Sequence, residues 1–214
     1  MQFGRSVKGY NIPVLNEREI RAAAGILFLI MFITIQQAGQ GNFIPIKYAI
    51  TIFLTDISIR LFLSPEYSPF LILGRLIVKN QTPEYVGAAQ KKFAWYIGFG
   101  LSATVFTLMV PVNSYSPISG ISCFVCLIFL FFESAFGICV GCKLYSMVYK
   151  EKAQYCPGEI CEIKDRQEIQ QTSPTQFLVI FGFIIYVFAL IFLFNDIYSA
   201  QPYDLFGLEE YFKT

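Results

Sequence analysis

The chain has 214 residues, of which 55% are hydrophobic and 14% are charged, with a net charge of +1 and no histidine. Disorder requires low hydrophobicity and nucleic-acid binding requires a basic excess, so both are excluded, as is a disulfide-stapled miniprotein. The absence of histidine excludes Ser-His-Asp and Cys-His catalysis and histidine-ligated haem or zinc. A soluble domain of this length cannot bury so much apolar surface, so we expect the excess to face lipid.

Five apolar windows predict transmembrane helices, since roughly 20 mostly apolar residues cross a bilayer. The first, at 22–37, follows an N-cap at Asn16 with Glu19 three positions later, so its helix is expected to begin in water. We interpret it as a membrane anchor, because the cleavage pattern of a signal peptide does not follow it. The second window, at 44–63, is apolar apart from three charged residues.

A short apolar segment at 69–79 follows the second window. It cannot span a bilayer, and its Arg75 and Lys79 are typical of an interfacial amphipathic helix with basic residues at the lipid headgroups. Residues 93–132 then contain no Asp, Glu, Lys or Arg, and a turn at 111–117 rich in Pro, Asn and Ser divides them. This pattern predicts a helical hairpin, which supplies spans three and four.

The second helix of the hairpin is expected to continue to about residue 149, beyond the membrane surface. The fifth span is predicted at 176–194, with Pro174 near its start. Lys and Arg concentrate in alternate loops, which predicts a cytoplasmic N-terminus and an extracytoplasmic C-terminus.

The predicted fold is therefore all-α, a polytopic membrane helix bundle with five transmembrane helices and one interfacial helix. Residues 1–149 form its four-helix membrane domain. Residues 150–174 form a cytoplasmic loop that contains cysteines, and residues 175–214 form the fifth helix and an extracytoplasmic tail.

The six cysteines form three sequence pairs between residues 123 and 161: Cys123 and Cys126, Cys139 and Cys142, and Cys156 and Cys161. Packing explains the first pair well, because cysteine is a common small apolar residue in buried helices. The middle pair is flanked by Gly137 and Gly141, which allow a close approach of another backbone or a partner. A C-x-x-C dithiol forms a reducible disulfide, and a cation such as Lys143 favours its thiolate.

The third pair lies in a polar turn, so thiol redox chemistry and metal binding compete as explanations. Four thiols also permit an all-thiolate zinc or iron–sulfur site, although the unequal spacings of the two pairs disfavour it. The four residues concerned are Cys139, Cys142, Cys156 and Cys161. No cofactor is expected.

Three charged residues fall inside the apolar windows: Asp56, Arg60 and Glu133. Such residues are costly in lipid and usually face the protein interior. Asp56 and Arg60 are spaced for an i,i+4 pair on one helix. Glu133 has two alternatives, a pair with Arg60 across the bundle or acceptance of a proton as a thiol reacts. A solute or ion path would use the same three residues.

Four stretches resemble a bacterial integral membrane family whose shared four-helix domain has no assigned function. They read NEREIRAAAG at 16–25, SPEYSPF at 64–70, GAAQKKFAW at 87–95, and GICVGC at 137–142 followed by Tyr145. Genes of this family often lie beside thioredoxin-like or rhodanese-like proteins. The resemblance therefore implies a multi-pass protein of the bacterial inner membrane with thiol or sulfur chemistry at Cys139 and Cys142.

The leading hypothesis is thiol–disulfide or sulfur exchange at the cytoplasmic end of helix four, with a thioredoxin-like or rhodanese-like partner. Cys139 and Cys142 are its redox dithiol, and Cys156 and Cys161 are a second dithiol. One alternative is a non-catalytic accessory or scaffold subunit of a larger membrane complex. Another is a channel for small solutes or sulfur anions. A stand-alone enzyme with a defined substrate has little support.

Overall fold

The computed structural model describes residues 3–138, 169 and 171–205. These residues are mostly helical. In chain order the elements are β1 (Val14–Asn16), α1 (Glu17–Gly39), α2 (Ile44–Ser58), a π-helical turn (Ile59–Leu63), a 3-10 turn (Pro65–Tyr67), α3 (Pro69–Ile77), β2 (Tyr85–Gly87), α4 (Ala88–Met109), β3 (Ser114–Tyr115), α5 (Pro117–Phe131), a second π-helical turn (Phe132–Phe136), α6 (Pro174–Leu193), α7 (Asn195–Ser199) and β4 (Tyr203–Asp204).

Four helices, α1, α2, α4 and α5, form the bundle. α1 packs against α2, α2 against α4, α4 against α5, and α5 back against α1, so the four helices enclose one core. α6 lies outside this ring. The hydroxyl of its Tyr186 is 3.0 Å from that of Thr55 on α2, and its Phe183 packs edge-on against Phe70 of α3.

Two small strand pairs mark the two ends of the bundle. β1 pairs antiparallel with β2, with Leu15 opposite Val86, where α1 and α4 begin. β3 pairs parallel with β4, with Ser114 opposite Tyr203, at the turn of the α4–α5 hairpin. We call these the β1–β2 end and the β3–β4 end. The pairs contain only two or three residues per strand, so the fold stays helical.

Local sequence signals set several helix ends. The side chain of Asn16 accepts a hydrogen bond from Arg18 N, as expected for the N-cap of α1. Ser116 and Ser119 form a capping box at the start of α5, next to a proline at its first turn. Pro174 begins α6, as the sequence predicted.

Within the part of the chain that the structure describes, three helices are long and apolar enough to cross a membrane: Glu17–Gly39, Pro117–Phe136 and Pro174–Leu193. Their length and apolar composition are consistent with a lipid bilayer around them. The predicted windows 44–63 and 93–110 also form helices, but they are not among these three, so the prediction of five spans is not confirmed.

Two expectations at the β1–β2 end are wrong. The second hairpin helix does not continue to residue 149, because Gly137 adopts a left-handed conformation (φ 64°) and ends it after Phe136. α3 forms as predicted, but Arg75 is buried in an ion pair with Glu19 rather than placed at headgroups.

Candidate functional site

A cavity of about 70 Å³ lies inside the bundle, toward the β1–β2 end. All four bundle helices contribute to its walls. The walls are mostly apolar, and three functional groups interrupt them: the guanidinium of Arg60, the carboxylate of Glu133 and the thiol of Cys126. The apolar lining residues are Ile20, Ala24, Phe53, Ile57, Ala94, Trp95, Gly98, Phe129 and Leu130.

Both charged residues of the cavity lie in π-helical turns. Arg60 belongs to the turn Ile59–Leu63 after α2, and Glu133 to the turn Phe132–Phe136 after α5. π-helical turns are rare and occur frequently at functional sites. Two of them facing one cavity make this end of the bundle the best candidate for a functional site.

Arg60 is held by a network of buried partners. Its Nε donates to Asp56 Oδ2 at 2.7 Å, and its Nη2 lies 2.5 Å from the same oxygen. Asp56 Oδ1 accepts from Ser68 Oγ at 2.7 Å and from the backbone N–H of Phe70 at 3.1 Å. The guanidinium also lies over the ring of Trp95, 5.3 Å from its centroid. The predicted i,i+4 pair of Asp56 and Arg60 is confirmed, and it anchors the start of α3 to α2.

Glu133 does not pair with Arg60, the first of its two predicted alternatives. It contacts the ammonium of Lys91 on α4, which also lies 2.7 Å from Glu17 Oε2 on α1. Lys91 and Glu17 are 0% exposed. One buried ammonium thus joins α1, α4 and α5 through two carboxylates.

Lys91 and Glu17 are functional candidates that the sequence did not predict. Lys91 stands beside Lys92 at the start of an apolar window, a pattern that indicates headgroup lysines. The pattern of apolar and charged residues around Lys91 did not indicate that its side chain is buried. The sequence feature that could have indicated this pair is Glu17 at the start of α1, because a buried carboxylate requires a cation nearby.

A second buried pair joins α1 to α3. Arg75 Nε lies 3.2 Å from Glu19 Oε2, and Asn16 Nδ2 donates to Glu19 Oε1 at 3.0 Å. Arg75 also donates to Gln176 Oε1 at 2.9 Å, which ties the start of α6 to the β1–β2 end. Gly74 allows this close packing, since a Cβ there would overlap the carbonyl oxygen of Glu19.

Cys123 and Cys126 are free thiols, and both are buried in α5. Cys123 belongs to the apolar core, as the packing interpretation predicts. Cys126 packs too, but it also lines the cavity. Among the residues that the structure describes, no group of three or more Cys, Asp or Glu could hold a metal ion.

The other predicted thiols lie outside the described residues, as do Gly141 and Lys143. These thiols are Cys139, Cys142, Cys156 and Cys161. The predicted dithiols and the alternative of an all-thiolate metal site therefore stay predictions.

Gly137 stands where the chain leaves α5 toward these cysteines. A Cβ at this position would lie 3.1 Å from the Arg21 guanidinium carbon, so the side chain of Arg21 rests against the glycine backbone. The predicted close approach at Gly137 is thus made by a cation. It sits at the C-terminal end of α5, where the helix dipole favours positive charge.

The cysteine-bearing segment leaves and returns at the same end of the bundle. It leaves after Ile138, just beyond Gly137, and it returns at Ile169, which packs with Val14 and Tyr85 of the β1–β2 pair. Burial there, together with Tyr10 and Glu19 nearby, raises the pKa of the Tyr85 phenol to about 12. Ile169 is buried in this apolar cluster, whereas Ile138 is exposed beside Gly137.

The fold and the site define a helical protein of the membrane, with buried ion pairs around one end of a four-helix ring. Residues 15–150 match the family model described as a domain of unknown function (DUF4395), and the chain belongs to this family. This range agrees with the resemblance seen in the sequence at 16–149. Comparisons with curated proteins and with solved structures give no match.

Proposed function

We propose that the protein exchanges thiols and disulfides, or sulfane sulfur, at the β1–β2 end of the bundle. Cys139 and Cys142 are the exchanging dithiol, and a thioredoxin-like or rhodanese-like protein is the partner. The observation that carries the proposal is the anchoring of the cysteine-bearing segment at Ile138 and Ile169. Because both anchors lie at one end, all four thiols of the segment are tethered to that end.

The proposal includes the five-span arrangement. The helical windows 44–63 and 93–110 supply the two further spans, so the chain crosses the bilayer five times in alternating directions. The pairing of β3 with β4 supports this, since it brings the hairpin turn and the C-terminal segment to the same end. The basic residues at the β1–β2 end favour a cytoplasmic location for this end, and the family resemblance supports the bacterial inner membrane as the location of the chain.

The exchange proceeds in two steps, the formation of a mixed disulfide and its resolution. The Cys139 thiolate attacks one sulfur of a partner disulfide, a mixed disulfide forms, and the other partner sulfur leaves as a thiolate. The Cys142 thiolate then attacks Cys139 and releases the reduced partner. Two electrons pass to the partner, and the Cys156–Cys161 dithiol reduces the new Cys139–Cys142 disulfide by the same chemistry. Cys156 and Cys161 then form a disulfide, which a cytoplasmic dithiol reductant must reduce before the next cycle.

The neighbouring charges support the exchange from the bundle. Arg21 places a guanidinium against Gly137, two residues before Cys139, and a nearby cation favours a thiolate. The charges of Asp56, Arg60 and Glu133 are paired with each other or with Lys91. Their role is to hold the end of the bundle from which the thiols extend.

A trapping experiment tests the proposal in cells. In Cys142→Ser, the Cys139 mixed disulfide cannot resolve, so we expect a partner adduct that a reductant removes. Cys139→Ser should give no adduct, and the matched control Cys123→Ser, which removes a buried core thiol of α5 outside the cavity, should behave as the wild type. If Cys142→Ser gives no adduct and leaves the level of partner thiols as in the wild type, the exchange is refuted.

The accessory-subunit alternative has one observation in its favour. α6 leaves most of its large apolar side chains exposed, which suits lipid or a partner helix: Phe177, Leu178, Phe181, Ile184, Ile185, Phe188, Ile191, Phe192 and Leu193. Purification in native lipids distinguishes the two functions. Stable co-purification of a larger complex that persists in the Cys139→Ser, Cys142→Ser double variant would favour the accessory role.

A further inference from the structure

Three buried ionisable groups at the β1–β2 end do not balance in charge. The carboxylates of Glu17 and Glu133 both face the single ammonium of Lys91, which lies 2.7 Å from Glu17 Oε2. The side chains of Glu17 and Lys91 are fully buried, and that of Glu133 is only 15% exposed. With both carboxylates ionised, the cluster would carry one uncompensated negative charge inside the bundle. An unpaired buried charge is so costly that a carboxyl group in such a place takes up a proton instead.

The neighbouring cations do not supply the missing positive charge. Arg60 faces the same cavity, but it pairs with Asp56 at 2.5 Å. Arg21 follows Glu17 by one turn of α1 and lies half-buried against Gly137. It forms no ion pair within the part of the chain that the structure describes, and solvent screens its attraction for Glu17. The excess negative charge therefore remains with the two carboxylates that share one ammonium.

Glu17 is the carboxyl group better suited to hold a proton. Its Oε1 is buried and accepts no hydrogen bond from any residue that the structure describes. An ionised oxygen without a donor costs more to bury than a neutral hydroxyl, so protonation removes the larger penalty. The Lys91 ammonium then keeps Glu133 as its counter-charge, and the cluster as a whole becomes neutral.

The cavity gives this cluster a route for proton exchange. Its volume of about 70 Å³ exceeds the ~10–15 Å³ that one water molecule needs, so it has room for water. Glu133, Arg60 and the thiol of Cys126 provide polar partners for that water on the cavity wall. Glu133 thus lies between the cavity and the fully buried Glu17, and a proton can reach the cluster through it.

We propose that Glu17 and Glu133 form a buried binding site for one exchangeable proton beside Lys91. The proton is bound to a carboxylate oxygen, and it exchanges with water through the cavity. The ammonium of Lys91 disfavours a metal ion at the same place, because it already contacts both carboxylates and would repel a second cation. The site goes beyond the proposed thiol exchange and requires none of the cysteines.

Infrared spectroscopy tests the site, because the C=O stretching band of a protonated carboxyl group is separate from the bands of a carboxylate. The full-length protein is measured at neutral pH in a detergent that contains no carbonyl group. We expect a carboxylic-acid band that shifts when H₂O is replaced by D₂O, since the proton exchanges with water. The absence of this band, or a band that D₂O does not shift, overturns the proposal.

Two variants assign the band to the cluster. Glu17→Gln and Glu133→Gln each leave one carboxylate for Lys91, so the remaining one ionises and the band should be lost in both. Glu84→Gln is the matched control, because Glu84 is 17% exposed but pairs with Arg18 alone, and it should keep the band. The amide bands of the same spectra report whether the helices are intact. A carboxylic-acid band that persists in either variant of the cluster overturns the proposal.

Discussion

Arg60 and Glu133 lie in the two π-helical turns and face one cavity, yet each pairs with a different partner. Arg60 pairs along its own helix with Asp56, and Glu133 pairs across the bundle with Lys91. Lys91 also pairs with Glu17, so these ion pairs leave no excess positive charge at the cavity. This arrangement argues against an anion channel through the bundle, because an anion entering it would find no unpaired guanidinium.

The Lys91 ammonium is expected to be the most sensitive ionic position of the protein. Lys91→Met leaves Glu17 buried without its cation, which should lower the free energy of unfolding by about 3–5 kcal/mol. Glu133→Gln should cost about 1 kcal/mol or less, since Lys91 keeps Glu17 as its counter-charge. Denaturant unfolding in detergent micelles measures both values.

The double variant Lys91→Met, Glu17→Gln checks the cause. Removing the uncompensated carboxylate should restore part of the lost stability, so the two effects are not additive. Arg18→Met provides the control, because its pair with Glu84 is partly exposed and contributes about 0–1 kcal/mol. Additive losses in the double variant would show that packing, rather than charge, determines the effect.

Asp56 is expected to act mainly as an acceptor at the start of α3. Asp56→Ala removes the bonds to Ser68 and the Phe70 N–H and leaves Arg60 unpaired, so it should cost about 3–5 kcal/mol. Asp56→Asn keeps one acceptor oxygen and should therefore lose less stability than Asp56→Ala. Hydrogen exchange at the Phe70 amide separates the two, with rapid exchange expected in Asp56→Ala only. Equal exchange in both variants would refute the capping role.

Long apolar segments made most of the helices predictable. Residues 22–37 and 176–194 give a continuous helical signal, and both helices form with the predicted proline or N-cap at their starts. The end of α5 was not predictable in this way, because the apolar sequence continues past Gly137 and only its left-handed backbone stops the helix. The strand pairs were missed because two or three residues carry no readable alternation.

The candidate site was only half predictable, for a physical reason. Asp56, Arg60 and Glu133 were conspicuous as charges inside apolar windows, so they were found. Lys91 and Arg75 occur beside other basic residues near window ends, where sequence cannot distinguish a buried ion pair from a headgroup contact. Their burial depends on which carboxylates the tertiary packing brings near, namely Glu17 and Glu19.

Gly74 should tolerate no side chain. A Cβ there would overlap the Glu19 carbonyl oxygen and lie 3.1 Å from the Ala23 nitrogen, and neither backbone atom can move independently of α1. Gly74→Ala should therefore cost about 1–3 kcal/mol of stability. Gly100→Ala is the control, since its Cβ would meet no atom within 4 Å and alanine favours the helix. A thermal melt of both variants in the same detergent gives the comparison, and equal melting temperatures would contradict the α1–α3 contact.

Lys47 and Asn113 hold the C-terminal segment at the β3–β4 end. Lys47 Nζ donates to Asn113 Oδ1 at 2.7 Å and to the carbonyl of Ala200, and Asn113 O accepts from the Tyr203 N–H at 2.9 Å. Lys47→Met removes both ammonium bonds from a fully buried position. We expect faster hydrogen exchange at Tyr203 and faster proteolysis of residues 198–205, with the helices of the bundle unchanged.

Two variants of Asn113 separate the side chain from the backbone. Asn113 has a φ of 52°, a conformation that glycine adopts without strain and alanine does not. Asn113→Gly should therefore keep the turn and lose only the side-chain bonds, giving exchange at Tyr203 close to that of Lys47→Met. Asn113→Ala should add backbone strain and release the segment further. If Lys47→Met and Asn113→Gly both leave Tyr203 as protected as in the wild type, the strand pair alone holds the segment and the ammonium is not needed for it.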